Sequence, residues 1–211
     1  MKRVDCHVHS AYSGDARVTL DEIAGAVSSG TVDVVCLTDH NSVRGGLELK
    51  ERLPDQVIVG SEIRTWAGEV IGLFLTEHVP RKSDPAAVCE SIKEQGGLVY
   101  VPHPFCPLHN GLRVDVLDDL CNRGLIDVIE VFNAKASADA ANDEAAAYAL
   151  ARGLPAAAGS DAHYPEFLGR AYVEMPAFDG PASFLDALHQ ATVVGTRYTW
   201  AEARWRTKVV P

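Results

Sequence analysis

Short runs rich in Val, Ile and Leu recur along the chain, each four to seven residues long and each followed by polar residues. They are Val4 to His7, Val32 to Leu37, Val57 to Ile63, Val70 to Leu75, Leu98 to Val101, Ile126 to Phe132, Pro155 to Gly159 and Ala171 to Met175. Runs of this length without alternation read as strands buried on both faces, as in a parallel sheet. The segments between them carry helix signals. Thr19-Leu20-Asp21-Glu22 is a capping box, Leu20, Ile23, Ala24 and Val27 follow at helical spacing, and Gly30 stands where a terminating glycine belongs. Ser83 opens a second helix that Gly96-Gly97 closes, and Asp115 and Gly124 bracket a third. Residues 137–153 are Ala-rich, and Pro181 to Gly195 carries Phe184, Leu185 and Leu188 on one face.

Strand and helix alternate with short connections and no Pro, Gly or Ser linker, which predicts one α/β domain over residues 1–211. An open doubly wound sheet and a closed barrel both satisfy that pattern. No glycine-rich phosphate loop follows the first strand, so a dinucleotide or P-loop site is not expected. Thr199 to Pro211 forms a tail with no assigned role.

Composition narrows the classes. With 211 residues, 47% of them hydrophobic, the chain can bury a sizeable core. Nineteen Lys and Arg face 29 Asp and Glu, a net charge of −10 that disfavours stable binding to duplex nucleic acid or an anionic membrane. The five cysteines are odd in number and lack C-x-x-C spacing, which points to buried thiols in a reducing, cytoplasmic setting. The opening Met1-Lys2-Arg3-Val4-Asp5-Cys6-His7 is not a signal peptide, and no apolar stretch nears the roughly 20 residues of a membrane span.

The histidines change the picture most. Five of the eight fall at or just past the end of an apolar run: His7, His9, His40, His103 and His163. Asp15, Glu62 and Asp161 share those positions. Strand C-termini of a parallel α/β sheet or barrel open on one rim, so these groups converge. His-x-His on a strand turns both rings to one face. Imidazoles with carboxylates suit divalent Zn, Mn and Fe, and without cations such a cluster would carry a heavy desolvation and repulsion cost. About eight candidate ligands exceed the four of a single structural zinc, which favours two or three ions.

These residues carry a resemblance. Asp5-Cys6-His7-Val8-His9-Ser10 with Ser13 and Asp15, Thr38-Asp39-His40, Gly60-Ser61-Glu62, Val101-Pro102-His103-Pro104 and Gly159-Ser160-Asp161-Ala162-His163 resemble, in order and spacing, the PHP (polymerase and histidinol phosphatase) metal-dependent phosphoesterases. The resemblance implies a distorted (β/α)7 barrel with two or three divalent ions, Mn, Zn or Fe, at the strand C-termini. It places His7, His9, Glu62 and Asp161 on a first ion, has Glu62 bridge to a second held by His103, and puts Asp15, His40 and His163 on a third. Many family members carry a histidine in a Glu-Val-His stretch on the fourth strand, where this chain reads Glu69-Val70-Ile71. Ile71 then leaves the second ion short of a ligand, with His109 or Asn133 as replacements.

The expected activity is hydrolysis of a small phosphate ester, a phosphomonoester or nucleotide-type substrate, by metal-activated water. Asp161 would steer that water and Asp39 would orient a ligating imidazole. Arg17, Arg170 and Asn133 are the expected substrate contacts, guanidinium forks matching phosphate oxygens. Two other classes compete: a metal-dependent amide or ester hydrolase using the same rim chemistry, and a non-catalytic metal-binding module, which the Ile71 position favours.

Overall fold

The computed structural model describes residues 1–80, 84–136, 139–199 and 202. Nine strands are described: β1 (Lys2–Val8), β2 (Val34–Leu37), β3 (Val57–Thr65), β4 (Gly68–Leu73), β5 (Leu98–Val101), β6 (Val128–Asn133), β7 (Ala156–Gly159), β8 (Ala171–Met175) and β9 (Thr192–Gly195). Six α-helices lie between them: α1 (Leu20–Ser28), α2 (Arg44–Arg52), α3 (Pro85–Glu94), α4 (Val114–Asn122), α5 (Asp139–Arg152) and α6 (Pro181–Leu188). The strands form one sheet in the order β7-β6-β5-β4-β3-β2-β1-β8-β9 that curls into a nearly closed barrel.

The seam is closed differently at its two ends. At the C-terminal end of β1, Asp161 N–H donates to His7 C=O at 2.8 Å and His9 N–H donates to Ala162 C=O at 3.1 Å, joining the end of β7 to β1 in parallel. At the other end, Lys2, Arg3 and Val4 pair with Met175, Glu174 and Val173 of antiparallel β8. Val4, Cys6, Cys36, Ile58, Ile71 and Tyr100 pack inside, and Phe184 and Leu188 of α6 join that cluster. Outside, α1 and α2 cover Val8, Val35 and Leu37, while α3, α4 and α5 cover Val99, Val101, Ile129 and Val131. Two covered faces explain the unbroken apolar runs.

The predicted strands are present, but not all are parallel. β1, β2 and β3 run parallel, as do β5, β6 and β7; β4 is antiparallel to both its neighbours. Only Trp66 and Ala67 separate β3 from β4, and a link that short can make a hairpin but not a crossover. The beginning of β4, not its end, therefore reaches the rim. α1 begins on the expected box, Thr19 N–H donating to Glu22 Oε2 at 2.8 Å and Glu22 N–H to Thr19 Oγ1 at 3.2 Å. Ser83 lies outside the described residues; α3 starts at Pro85 with Asp84 as its cap. Helix α2 escapes pattern reading because it opens on Gly45-Gly46, poor helix formers that close packing requires. A Cβ at Gly45 would stand 2.5 Å from Asp39 Oδ2, and one at Gly46 would stand 3.1 Å from Val59 Cγ1. All five cysteines are free thiols. Among the described residues, no helix is long and apolar enough to cross a membrane.

Gly159 marks the tightest point of the seam, where an added Cβ would meet His7 Cβ at 2.3 Å and Glu130 Oε1 at 2.7 Å. Gly159→Ala is expected to lower stability by about 1–3 kcal/mol through overpacking. Gly25→Ala, at a helical site open to solvent, should instead gain up to about 1 kcal/mol. Denaturant midpoints of the two variants should move in opposite directions.

Candidate metal centre at the barrel rim

Strand β1 slips register between Asp5 and Val8. Val4 and Cys6 face the interior below the slip; His7 and His9 face it above, while Val8 joins the outer layer. The irregularity thus changes which residues point inward, as bulges beside functional sites do. Both imidazoles are fully buried, with His7 Nε2 and His9 Nε2 3.0 Å apart.

The far side of each ring is held. His7 Nδ1–H donates to Glu130 Oε1 at 3.1 Å. Glu130 is buried and also accepts from Tyr100 O–H at 2.9 Å, His103 N–H at 2.6 Å and Asn133 Nδ2–H at 2.9 Å, so its oxygens are saturated. Ser13 holds His9. Its hydroxyl donates to Asp39 Oδ1 at 2.8 Å and accepts the His40 N–H at 3.1 Å, so its remaining partner, His9 Nδ1 at 3.0 Å, must be the donor. With both Nδ1 atoms protonated, the two Nε2 atoms face each other at a distance that calls for a shared proton or a metal ion between them. The same point is approached by Glu62 Oε2, 3.6 Å from His7 Nε2 and 3.3 Å from His9 Nε2. Asp161 Oδ1 lies 3.8 and 3.5 Å from those nitrogens.

Two further groupings adjoin. His103 Nε2 is 3.0 Å from Glu62 Oε1, and the buried His103 Nδ1 has no hydrogen-bond partner among the described residues. Asp15 Oδ2 lies 3.4 Å from His40 Nε2 and 3.6 Å from His163 Nε2, and His40 Nδ1 is 3.1 Å from Glu62 Oε2. Nitrogen and oxygen donors of His9, His40 and His163, of His7, Glu62 and His103, and of His7, His9 and Asp161 all lie within 4.8 Å of one another. The donor set, neutral imidazoles with carboxylates, fits Zn, Mn or Fe. All eight residues the sequence nominated as ligands are therefore brought together. His103 and Asp161 both hold positive φ, 30° and 51°, a strained backbone of the kind found at functional sites.

The substrate-side expectations fare differently. Arg17 is exposed and its side chain does not line the cavity above the cluster. Arg170 also stays away from that cavity, because its guanidinium pairs with Glu202 and lies over the rings of Phe167 and Tyr198. Asn133 is buried under the rim, where Nδ2–H donates to Glu130 and to Asp161 Oδ2 at 3.4 Å, a positioning place rather than a substrate contact. Asp39 touches no ligating ring nitrogen directly. It accepts from Ser10 N–H at 2.7 Å, Ser10 O–H at 2.8 Å and Ser13, and acts on His9 only through Ser13.

Lys135, Glu69 and Glu130 emerge only from the fold. Lys135, Glu69 and Arg64 line a cavity of about 200 Å³ together with Leu108 and His109. Lys135 N–H donates to Asn133 Oδ1 at 2.8 Å, a tight turn after β6 that carries Lys135 Nζ to 3.3 Å from Asp161 Oδ1. A lone carboxylate inside an apolar run, Val128-Ile129-Glu130-Val131, was the available signal for Glu130.

Burial alone would raise Asp161, but Lys135 and the histidines hold it well below the usual carboxylate range. Burial likewise opposes the ionisation of Glu62, and His7, His103 and His40 more than offset it. For His40, burial pulls downward while the Asp15 and Glu62 carboxylates hold its pKa at about 10. His7 is also raised, by Asp161, Glu130 and Glu62 against its burial.

Fold and rim together define a TIM-like barrel whose rim gathers side chains that could hold divalent ions. The PHP domain family matches residues 5–103 and the PHP-associated family residues 139–193. Two uncharacterized proteins of Methanocaldococcus jannaschii are similar to this chain. One is 39% identical over 146 residues, covering 63% of this chain and 82% of that protein. The other is 31% identical over 220 residues, covering 98% and 88%. A two-domain Bacteroides vulgatus protein containing a predicted PHP-like metal-dependent phosphoesterase superposes with a TM-score of 0.76 at 21% identity, over 92% of this chain and 65% of that one. An amidohydrolase from Chromobacterium violaceum, solved with bound sulfate, superposes with a TM-score of 0.58 at 16% identity over 96% of each chain. The chain belongs to the PHP domain family.

Because their carboxylate neighbours keep His7 and His40 protonated at neutral pH, an ion entering the site must displace those protons. Apparent Mn²⁺ affinity should therefore rise with pH between about 6 and 8, up to about tenfold per pH unit for each proton displaced. Calorimetry in buffers of different ionisation enthalpy should register the release. Ser13→Ala, which leaves His9 Nδ1 and Asp39 without their shared partner, should weaken ion binding by about 10–100-fold.

Proposed function

We propose that the chain hydrolyses a small phosphate ester, with His7, His9, Glu62 and Asp161 holding one divalent ion, His103 and Glu62 a second, and Asp15, His40 and His163 a third. The observation that carries this reading is the His7–His9 pair, whose facing Nε2 atoms at 3.0 Å sit beside two buried carboxylates. When bound, such ions lower the pKa of a water and draw charge from phosphoryl oxygens.

The chain's own residues do the rest. Lys135 and Arg64 line the cavity, paired with Asp161 and Glu69, and are the side chains assigned to phosphate oxygens. Asp161, kept ionised, is a poor proton acceptor near neutral pH, so Oδ1 orients an attacking water rather than deprotonating it. Asn133 fixes its other oxygen. The cavity, about 200 Å³, falls below the about 300–1,000 Å³ of pockets for drug-sized ligands, which supports a small substrate over duplex nucleic acid. The net charge of −10 supports the same choice.

Metal-stripped protein reloaded with Mn²⁺, Zn²⁺ or Fe²⁺ should hydrolyse nitrophenyl phosphate or bis-nitrophenyl phosphate. His9→Ala and Asp161→Ala should each cut kcat/KM by more than about a hundredfold. Undiminished hydrolysis in both variants would sink the assignment. Turnover of lactone or amide substrates alone would move the chain to the amidohydrolase chemistry of its Chromobacterium violaceum neighbour, and metal loading without any turnover would make it a binding module.

A further inference from the structure

The β3–β4 hairpin sets which residue of β4 stands at the rim where the sequence pattern had placed Ile71. Its cross-strand pairs on one face are Gly60 with Leu73, Glu62 with Ile71 and Arg64 with Glu69. Because side chains alternate along a strand, Leu73, Ile71 and Glu69 point the same way. Leu73 and Ile71 belong to the interior apolar cluster, and Glu69, at the start of the strand, comes out at the rim. The antiparallel course of β4 makes residue 69, and not residue 71, the rim position.

Glu69 is only 3% exposed. Its two oxygens have different neighbours. Oε1 accepts from Arg64 Nε at 2.9 Å, while Oε2 faces His103 Nε2 at 3.9 Å, beyond hydrogen-bond reach. Donor atoms of Glu69, Glu62 and His40 lie within 4.8 Å of one another. The histidines that offset Glu62 are its own close contacts, whereas the direct partner of Glu69 is one half-exposed guanidinium. The unpartnered His103 Nδ1 belongs to the ring that approaches both carboxylates.

We propose that Glu69 ligates the second ion beside Glu62 and His103, and that Arg64 is the cation this ion displaces, freed on metal loading to bind phosphate in the cavity it lines. The inference rests on the reading of the rim as a metal centre. It adds that one carboxylate is shared by competing cations, so that ion occupancy and phosphate binding are coupled through a single cross-strand pair. Ile71 is then a packing residue, and its apolar character does not cost the site a ligand.

The test is calorimetric titration of the metal-stripped full chain with Mn²⁺, followed by titration of the Mn-loaded protein with inorganic phosphate, neither of which requires turnover. Glu69→Gln, which keeps shape and removes charge, should lose one equivalent of Mn²⁺ relative to the parent, and Glu69→His should regain it. Thermal melting of each variant checks that it is folded. Arg64→Met should bind the second Mn²⁺ about tenfold more tightly and phosphate about tenfold more weakly, the shift of one charge-assisted contact. Arg113→Met, outside the cavity, should change neither. A full Mn²⁺ complement in folded Glu69→Gln would overturn the ligand assignment while leaving the metal centre standing. Unchanged Mn²⁺ and phosphate affinities in Arg64→Met would overturn the exchange. A parent chain that binds no Mn²⁺ would overturn the metal centre and this inference together.

Discussion

The hydrogen bonds that join the end of β7 to the end of β1 are the constraint on which the molecule turns. Asp161 N–H to His7 C=O and His9 N–H to Ala162 C=O close the barrel, and the same residues carry the side chains that meet above the seam. Fold closure and site assembly are one event here. Gly159 lets the strands approach, and the register slip in β1 turns His7 and His9 inward at the height of the contact.

Charge balance explains the layout around that seam. Glu130 is a buried carboxylate whose four donors all come from the protein, and it serves as a support for His7. Glu62, Glu69 and Asp161 are buried almost as deeply, yet their neighbours are largely imidazoles and two cavity-lining cations. Groups satisfied from within the fold position the ring nitrogens; groups lacking such donors face the cavity. Desolvation makes the second kind tolerable only with cations close by.

Much of this was legible in the chain. Apolar runs located strands β1 to β8, and histidines at their ends located the rim, because burial on two faces and convergence of strand ends are both written in residue type. Strand direction was not. Val70 to Leu75 has the same apolar character whichever way it runs, and only the shortness of the Trp66-Ala67 link betrays a hairpin, which misplaced Ile71 at the rim and hid Glu69. Arg170 looked available because it follows Asp161 and His163 closely, but its pairing with Glu202 depends on the path of the chain after β9. Lys135 and Ser13 owe their roles to turn geometry and to a shared hydroxyl, which no periodicity reports. Helix α2 was hidden by the glycines that let it pack.

The way the barrel closes also fixes an order of events for the chain as it is made. The segment matched by the PHP domain family, residues 5–103, carries His7, His9, Asp15, His40, Glu62 and His103, whereas Asp161 and His163 come from the PHP-associated segment, residues 139–193. The Ser160 N–H to Asp5 bond spans 155 positions, so the seam is a contact of very high sequence separation, with the loop-closure cost that implies. A growing chain therefore presents a half-finished rim, open along β1, until residues 159–163 have been synthesised. The complete ligand set comes into being only with that closure, so full metal capture reports that the β7–β1 seam has formed.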